Sequence, residues 1–278
     1  MDLDALENLR FTRDDHVGWL RLHRPERLNA MTGELWSELR EVGSVLRVDP
    51  DLRALVVTGE GRAFSSGIDT SVFAGTFGDA IASMDDDDDG AESAHGLVET
   101  IMRTQDAFTW LAEAPFATIA AVRGYALGAG LQLALACDLR LFARGATVGL
   151  LELQYGMMPD LGGTQRLPRL VGAGKAKELI LTRAKIDAEE AARIGLCEQL
   201  VDEADLDAAA TSLAATIAGQ PPLAVRGVKD AIRASSELDE GSGLRLEAER
   251  QAVCLASEDL NEAMIAFVEQ RRPEYRGA

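Results

Sequence analysis

Cysteine is scarce in this chain, and the three that occur are odd in number and far apart: Cys137, Cys197 and Cys254. Each lies in an apolar stretch. This pattern excludes a disulfide framework and a zinc site, both of which need closely spaced or paired cysteines. It predicts buried thiols in a reducing compartment, so we expect a cytoplasmic protein.

Positive charge is also scarce, with 28 Lys and Arg against 46 Asp and Glu and a net charge of −18. Such an acidic chain is a poor match for a nucleic-acid surface. The first ten residues are acidic and contain no apolar core, so we expect no signal peptide. The most apolar stretch, Phe116–Ala136, is interrupted by Arg123 and three glycines, which argues against a membrane span.

Several motifs of common enzyme classes are missing. No G-x-G-x-x-G supports a dinucleotide fold, and Gly172–Lys175 matches only a fragment of a phosphate loop. Ser66 does not lie in a G-x-S-x-G turn, and no histidine has a recognisable triad context. The sequence therefore argues against a nucleotide-dependent dehydrogenase and a serine hydrolase.

The apolar pattern predicts strands alternating with helices in the first part of the chain and almost only helices after about residue 161. We expect an α/β fold, with a core over residues 1–200 and a C-terminal helical region over 201–278. The predicted strands are Val17–Leu22, Ala54–Thr58, Ala117–Val122, Leu139–Ala143 and Thr147–Gly149. The predicted helices are Gly33–Val48, one near Glu99–Ala114, one after Gly128, Leu161–Leu170, Lys175–Thr182, Ala188–Ile194, Leu206–Ala218, Leu223–Ser235 and Ser242–Val268.

Two turns of small residues each follow a predicted strand. The first is Ala63–Asp69, and the second contains Gly124, Gly128 and Gly130 at the start of a helix. The first N–H groups of a helix have no internal acceptor and lie at the positive end of its dipole. Two such turns predict a pair of backbone donors that hold an oxyanion.

Five segments resemble the enoyl-CoA hydratase/isomerase (crotonase) family in order and spacing over nearly the whole chain. They are LHRPERLNAM, LVVTGEGRAFSSGID, IAAVRGYALGAGLQLALACD, MMPDLGGTQRLPRLVG and FVEQRRPEY. The resemblance implies a core of repeated ββα units, a C-terminal helical trimerisation region and a coenzyme A thioester substrate. It implies no metal and no cofactor beyond that thioester. It also implies that the N–H groups of Ser66 and Ala129 bind the thioester oxygen.

The acid–base residues depart from the family pattern. Glu152 matches one of the two glutamates that hold water in the hydratases, but the other position is Gln132, whose amide cannot take a proton. Asp160 lies eight residues after Glu152, as in the dienoyl-CoA isomerase branch. We expect Glu152 to be the principal acid/base, Asp160 its partner or a helix N-cap, and Gln132 an amide that orients water or substrate.

The resemblance places further residues near coenzyme A, with basic side chains at its phosphates and backbone at its pantetheine. The expected contacts are Arg24, Arg27, Leu28, Ala30, Ile68, Phe267 and Arg272. Thr70 and Ser71 occupy the place of a lysine that many members place near the adenosine. Phe77, Ile81 and Met84 are expected near the acyl tail, and the Asp85–Asp89 run in a surface loop over Gly75–Gly96.

Two questions stay open at the level of sequence. Hydration and double-bond migration share the same enolate, and Gln132 also fits a protein that binds acyl-CoA without turnover. The resemblance further implies a homotrimer or a dimer of trimers, in which Phe267 and Arg272 reach a neighbouring subunit.

Overall fold

The computed structural model describes residues 3–73 and 90–278. The Asp85–Asp89 run and the expected acyl-tail residues Phe77, Ile81 and Met84 lie outside the described residues. The strands are β1 (Leu9–Asp14), β2 (Val17–Leu22), β3 (Ala54–Gly59), β4 (Ala117–Val122), β5 (Tyr125–Leu127), β6 (Leu139–Ala143), β7 (Thr147–Gly149), β8 (Ile186–Asp187) and β9 (Gln199–Val201). The α-helices are α1 (Gly33–Leu46), α2 (Gly90–Glu113), α3 (Ala129–Ala136), α4 (Gly163–Val171), α5 (Ala173–Thr182), α6 (Ala188–Arg193), α7 (Leu206–Ala218), α8 (Pro222–Ala234), α9 (Glu240–Leu255) and α10 (Glu258–Glu269).

The strands form a six-stranded sheet in the order β1-β2-β3-β4-β6-β9 and a small sheet in the order β5-β7-β8. In the large sheet β1 is antiparallel to β2 and all other neighbours are parallel. Every residue of β3 and β4 is buried. Continuous burial of this kind occurs when parallel strands are covered by helices on both faces.

Both faces of the large sheet are covered by helices. Leu35 and Leu39 of α1 and Phe108 of α2 belong to the core on one face. On the other face, Ala210 and Ala214 of α7 pack against apolar side chains of the sheet. The expected boundary at residue 200 therefore falls inside β9, and α7, the α-helix that follows, packs on the sheet.

The expected α/β core with a C-terminal helical region is confirmed, and several boundaries move. Strand β1 was not expected, and residues 90–96, expected in a loop, belong to α2. The predicted helix over 242–268 is two helices, because Ser257 caps the second by accepting from the Leu260 N–H at 3.3 Å. Among the described helices, none is long and apolar enough to cross a membrane.

The cysteines agree with the expectation of unpaired thiols. Cys137 and Cys197 are buried, Cys254 is half-buried, and none forms a disulfide with another. Burial raises the pKa of the Cys137 thiol to about 12 and that of Cys197 to about 11. These two thiols are protonated at neutral pH and act as small apolar side chains.

Gly124 allows the chain to turn sharply between β4 and β5. It has a φ of +59°, and a Cβ at this position would overlap the carbonyl oxygen of Arg62. We predict that Gly124→Ala lowers the free energy of unfolding by about 3 kcal/mol or more, because left-handed strain adds to a backbone clash. Urea unfolding measures this effect. Gly145→Ala is the matched control, since its φ of +83° carries similar strain but its Cβ would meet no atom within 4 Å.

Candidate active site

A cavity of about 70 Å³ lies where the two glycine-containing turns meet. Its lining residues are Ser66, Gly67, Ile68, Thr70, Leu127, Gly128, Ala129, Leu151, Glu152, Gln154, Tyr155 and Met157. The turns belong to two different sequence segments, and the short parallel bridge between Ser65 and Ala126 joins them. The cavity therefore combines backbone donors with the carboxylate of Glu152.

Ala129 supplies one donor. It is the first residue of α3, after Gly128 at a φ of +51°. Among the described residues, no acceptor is found for its N–H. The position is therefore suited to hold an oxyanion, as expected, because the N–H lies at the positive end of a helix and at the cavity wall.

The second donor differs from the expectation. The N–H of Ser66 donates to the Leu28 carbonyl at 2.9 Å, so it does not face the cavity as a free donor. Two residues later, Ile68 also lines the cavity, and no acceptor for its N–H is found in the described part of the chain. Gly67, with a φ of +102°, turns the chain between them. Among the described residues, the N–H beside Ala129 that lacks an acceptor at this cavity is therefore that of Ile68, not that of Ser66.

Glu152 lines the same cavity, with 4% of its surface exposed. It begins a short 3₁₀ helix, Glu152–Tyr155, that follows β7. A Cβ on Gly128 would lie 3.4 Å from Glu152 Oε1, so the carboxylate lies against the donor turn. Oε2 is buried and has no hydrogen-bond partner among the described residues. Burial raises the pKa of Glu152, and the charge of Asp160 raises it further, whereas hydrogen bonds from Gln132 and the backbone lower it.

Gln132, on α3, is fully buried beside Glu152. Its Nε2 donates to Glu152 Oε1 at 2.7 Å. Its Oε1 accepts from the N–H groups of Leu161 and Gly163 at 2.8 and 2.9 Å. The structure thus brings Gln132 and Glu152 together, as the sequence predicts, but uses the amide to hold protein groups.

Asp160 lies on a different cavity, of about 810 Å³, between α2, α3, α4 and α8. The residues lining it include Asp160 and Arg166 but neither Glu152 nor the free N–H groups. Burial raises the pKa of Asp160. The alternative of a helix N-cap is corrected, because α4 begins at Gly163 and its N-cap Gly162 carries no side-chain cap. The acid–base partnership of Asp160 with Glu152 stays a prediction.

The basic side chains expected at coenzyme A phosphates lie near a buried carboxylate. Arg24 Nη1 lies 3.3 Å from Asp69 Oδ2 and donates to the Ala30 carbonyl, and Arg27 Nη2 lies 3.7 Å from the same oxygen. The backbone N–H of Ser71 holds the pKa of Asp69 below its usual value, and Arg24 lowers it further. Arg24 is mostly buried, whereas the Arg27 side chain is 60% exposed and accessible to a ligand.

The remaining expected contacts divide into two groups. Leu28, in a left-handed conformation, and Ala30 belong to the segment that holds the Ser65–Gly67 turn through backbone hydrogen bonds. Phe267 is 82% exposed and Arg272 is also exposed, and neither lines the cavity. Their contacts with coenzyme A stay predictions. Within residues 3–73 and 90–278, no group of three His, Cys, Asp or Glu side chains is placed to hold a metal ion.

Comparison with known proteins decides the family. The enoyl-CoA hydratase/isomerase family model matches residues 12–278. The chain belongs to the enoyl-CoA hydratase/isomerase family. It is 34% identical over 272 residues to the crotonyl-CoA hydratase of Syntrophomonas wolfei, covering 98% of each chain. It is 32% identical over 272 residues to a peroxisomal Delta(3,5)-Delta(2,4)-dienoyl-CoA isomerase of Arabidopsis thaliana, covering 98% of this chain and 96% of the relative.

Solved structures of the family share the fold. The enoyl-CoA hydratase of Bacillus anthracis superimposes with a TM-score of 0.87 at 33% identity, covering 98% of this chain and all of that one. A Thermobifida fusca relative solved with acetoacetyl-CoA gives 0.80 at 40% identity, covering 90% of this chain and 95% of that one. The crotonase fold implied by the five sequence segments is confirmed, and the chain is an enzyme of the lyase or isomerase type.

Proposed function

We propose that this enzyme moves a proton next to the thioester carbonyl of an enoyl-CoA and so shifts the double bond. The observation that supports this is the convergence of two free N–H groups, of Ile68 and Ala129, with the unpartnered Oε2 of Glu152 in one cavity. The Thermobifida fusca relative with bound acetoacetyl-CoA supports a coenzyme A thioester as the ligand.

The reaction starts with Glu152 ionised. Its Oε2 takes a proton from the α-carbon of a 3-enoyl thioester, and the electron pair of that C–H bond forms an enolate. The charge develops on the thioester oxygen, where the N–H groups of Ile68 and Ala129 stabilise it. The neutral Glu152 then returns the proton to the γ-carbon, which gives the conjugated 2-enoyl thioester and restores the carboxylate.

The small number of carboxylates favours this reaction over hydration. Glu152 is the one acid among the described residues that line the cavity, and the second water-holding position of the hydratases is Gln132. A proton that leaves one carbon and returns to another can be carried by one group that acts first as base and then as acid. A raised pKa, which burial gives Glu152, suits both steps near neutral pH.

Mass spectrometry of enoyl- and dienoyl-CoA esters incubated with the protein in D₂O tests the proposal. We expect deuterium at the α- and γ-carbons and a rise in absorbance of the conjugated thioester, without gain of water. Gain of water would make the enzyme a hydratase and overturn the proposed reaction. Esters that bind but do not change would favour a protein that has lost turnover.

The homotrimer implied by the family resemblance stays a prediction. Apolar residues on the C-terminal helices are well exposed in the single chain, among them Ile232 at 68%, Phe267 at 82% and Val268 at 78%. Burial of such residues between copies of the chain would remove them from water, which supports self-association.

A further inference from the structure

The orientation of the Gln132 amide is fixed by the backbone around it. The Leu161 and Gly163 N–H groups can only donate, so the atom that they meet must be the carbonyl oxygen. The NH₂ group must then face Glu152. Because the side chain is fully buried, no water competes for these positions.

This orientation makes the two oxygens of Glu152 unequal. Oε1 accepts from Gln132 at 2.7 Å, whereas Oε2 meets no partner among the described residues. A buried carboxylate oxygen without a partner is costly, and it is the oxygen available to take a proton.

The same bonds remove Gln132 from any role as a water acceptor. A carbonyl oxygen has two lone pairs, and the two backbone N–H groups occupy both. Resting on the proposed role of Glu152, we propose that Gln132 is a positioning residue: it holds Oε1, leaves Oε2 as the proton-carrying atom, and ties the Leu161–Gly163 turn to the acid/base.

The Leu161–Gly163 turn can lie close to the Gln132 amide because it contains Gly163. A Cβ on Gly163 would lie 2.9 Å from Gln132 Oε1. Only a glycine lets the backbone approach the amide so closely. Asp160, next to the turn, is the charged residue whose field reaches Glu152, and it is left unchanged in every variant below.

Two substitutions test the positioning role through the pH profile of kcat/KM. Gln132→Met removes the donor to Glu152 at similar side-chain length. The ionised form then loses a hydrogen bond, so the pKa of Glu152 rises and the acid limb moves up by about one to two pH units. Gln132→Glu keeps an acceptor for the two N–H groups but places a second carboxylate beside Glu152, so the limb also moves up.

The matched control is Gln165→Met, an exposed position on α4 that should leave the limb in place. A purely structural role for Gln132 would lower kcat at every pH without moving the limb, and that result in folded variants overturns the inference. If Gln132→Met does not fold, the acid limb of the kcat/KM profile of Gln132→Glu tests the inference in its place. Retained turnover in Glu152→Gln would overturn the proposed function itself, so the two failures are distinguishable.

Discussion

Replacing Glu152 with glutamine is expected to lower kcat by about 10²–10⁴-fold, the usual loss when a general acid–base group is removed. Glutamine has nearly the same shape but cannot take a proton at any accessible pH. Because Glu152 is the acid that lines the cavity, no other described lining residue replaces it in that role. Exchange of the α-proton in D₂O, followed by NMR, measures the step directly, and titration calorimetry with the same thioester measures binding.

Three controls separate chemistry from damage to the fold. Binding of the coenzyme A thioester should change little, because Glu152 acts on the acyl carbons. The pKa of Glu152 is raised by burial, so the folded state favours its neutral form and loses stability as pH rises through that pKa. Glu152→Gln should therefore be at least as stable as the natural protein above neutral pH.

Asp160→Asn should retain most of the turnover. A loss of kcat as large as that of Glu152→Gln would establish a two-carboxylate shuttle instead.

The sequence predicts the fold well wherever apolar runs are long. Val17–Leu22 and Ala117–Val122 are strands with the predicted bounds. Every residue of Ala117–Val122 is buried, and burial on both faces favours the nearly continuous apolar run seen in its sequence. Strand β1 was not predicted, because Leu9 is its only buried residue and its outward-facing residues are polar. β5 is three residues long, too short for any periodicity to show.

The sequence predicts which residues belong to the candidate site better than it predicts their hydrogen-bond partners. Glu152, Gln132 and Ala129 follow from the resemblance to the family, because they occupy the positions that match its glutamates and its oxyanion donor. The sequence does not show whether Ser66 or Ile68 has the free N–H at the cavity, because this depends on the direction in which each N–H points. The Leu28 carbonyl takes the N–H of Ser66, and the positive φ of Gly67 redirects the chain before Ile68.

The sequence also does not predict polar contacts between residues that are far apart in the chain. Nothing in the segment around Arg24 shows that its guanidinium lies against Asp69, which is 45 residues away. Likewise, the two N–H groups that occupy Gln132 Oε1 come from a turn about 30 residues later in the chain. A side chain's hydrogen-bonding capacity is known from its type, but its partners depend on the completed packing.

Ala129→Pro is expected to lower kcat by about 10²–10³-fold, the loss typical of removing one oxyanion donor. Proline has no N–H, so the enolate oxygen would retain only the donor of Ile68. The position tolerates the change better than most, because Ala129 is the first residue of α3, where proline has a suitable φ and no helical hydrogen bond is lost. Gly128 before it accepts a wide range of backbone angles.

The control for this variant is Ala129→Gly, which keeps the N–H and should retain turnover. Free coenzyme A provides a second control, since it lacks the thioester carbonyl and should bind Ala129→Pro as tightly as the natural protein. The loss should appear in kcat and in α-proton exchange together, because both pass through the same enolate. If Ala129→Pro binds coenzyme A but keeps kcat within about fivefold, which corresponds to about 1 kcal/mol, Ala129 is not an oxyanion donor. The charge would then have to be stabilised elsewhere in the cavity.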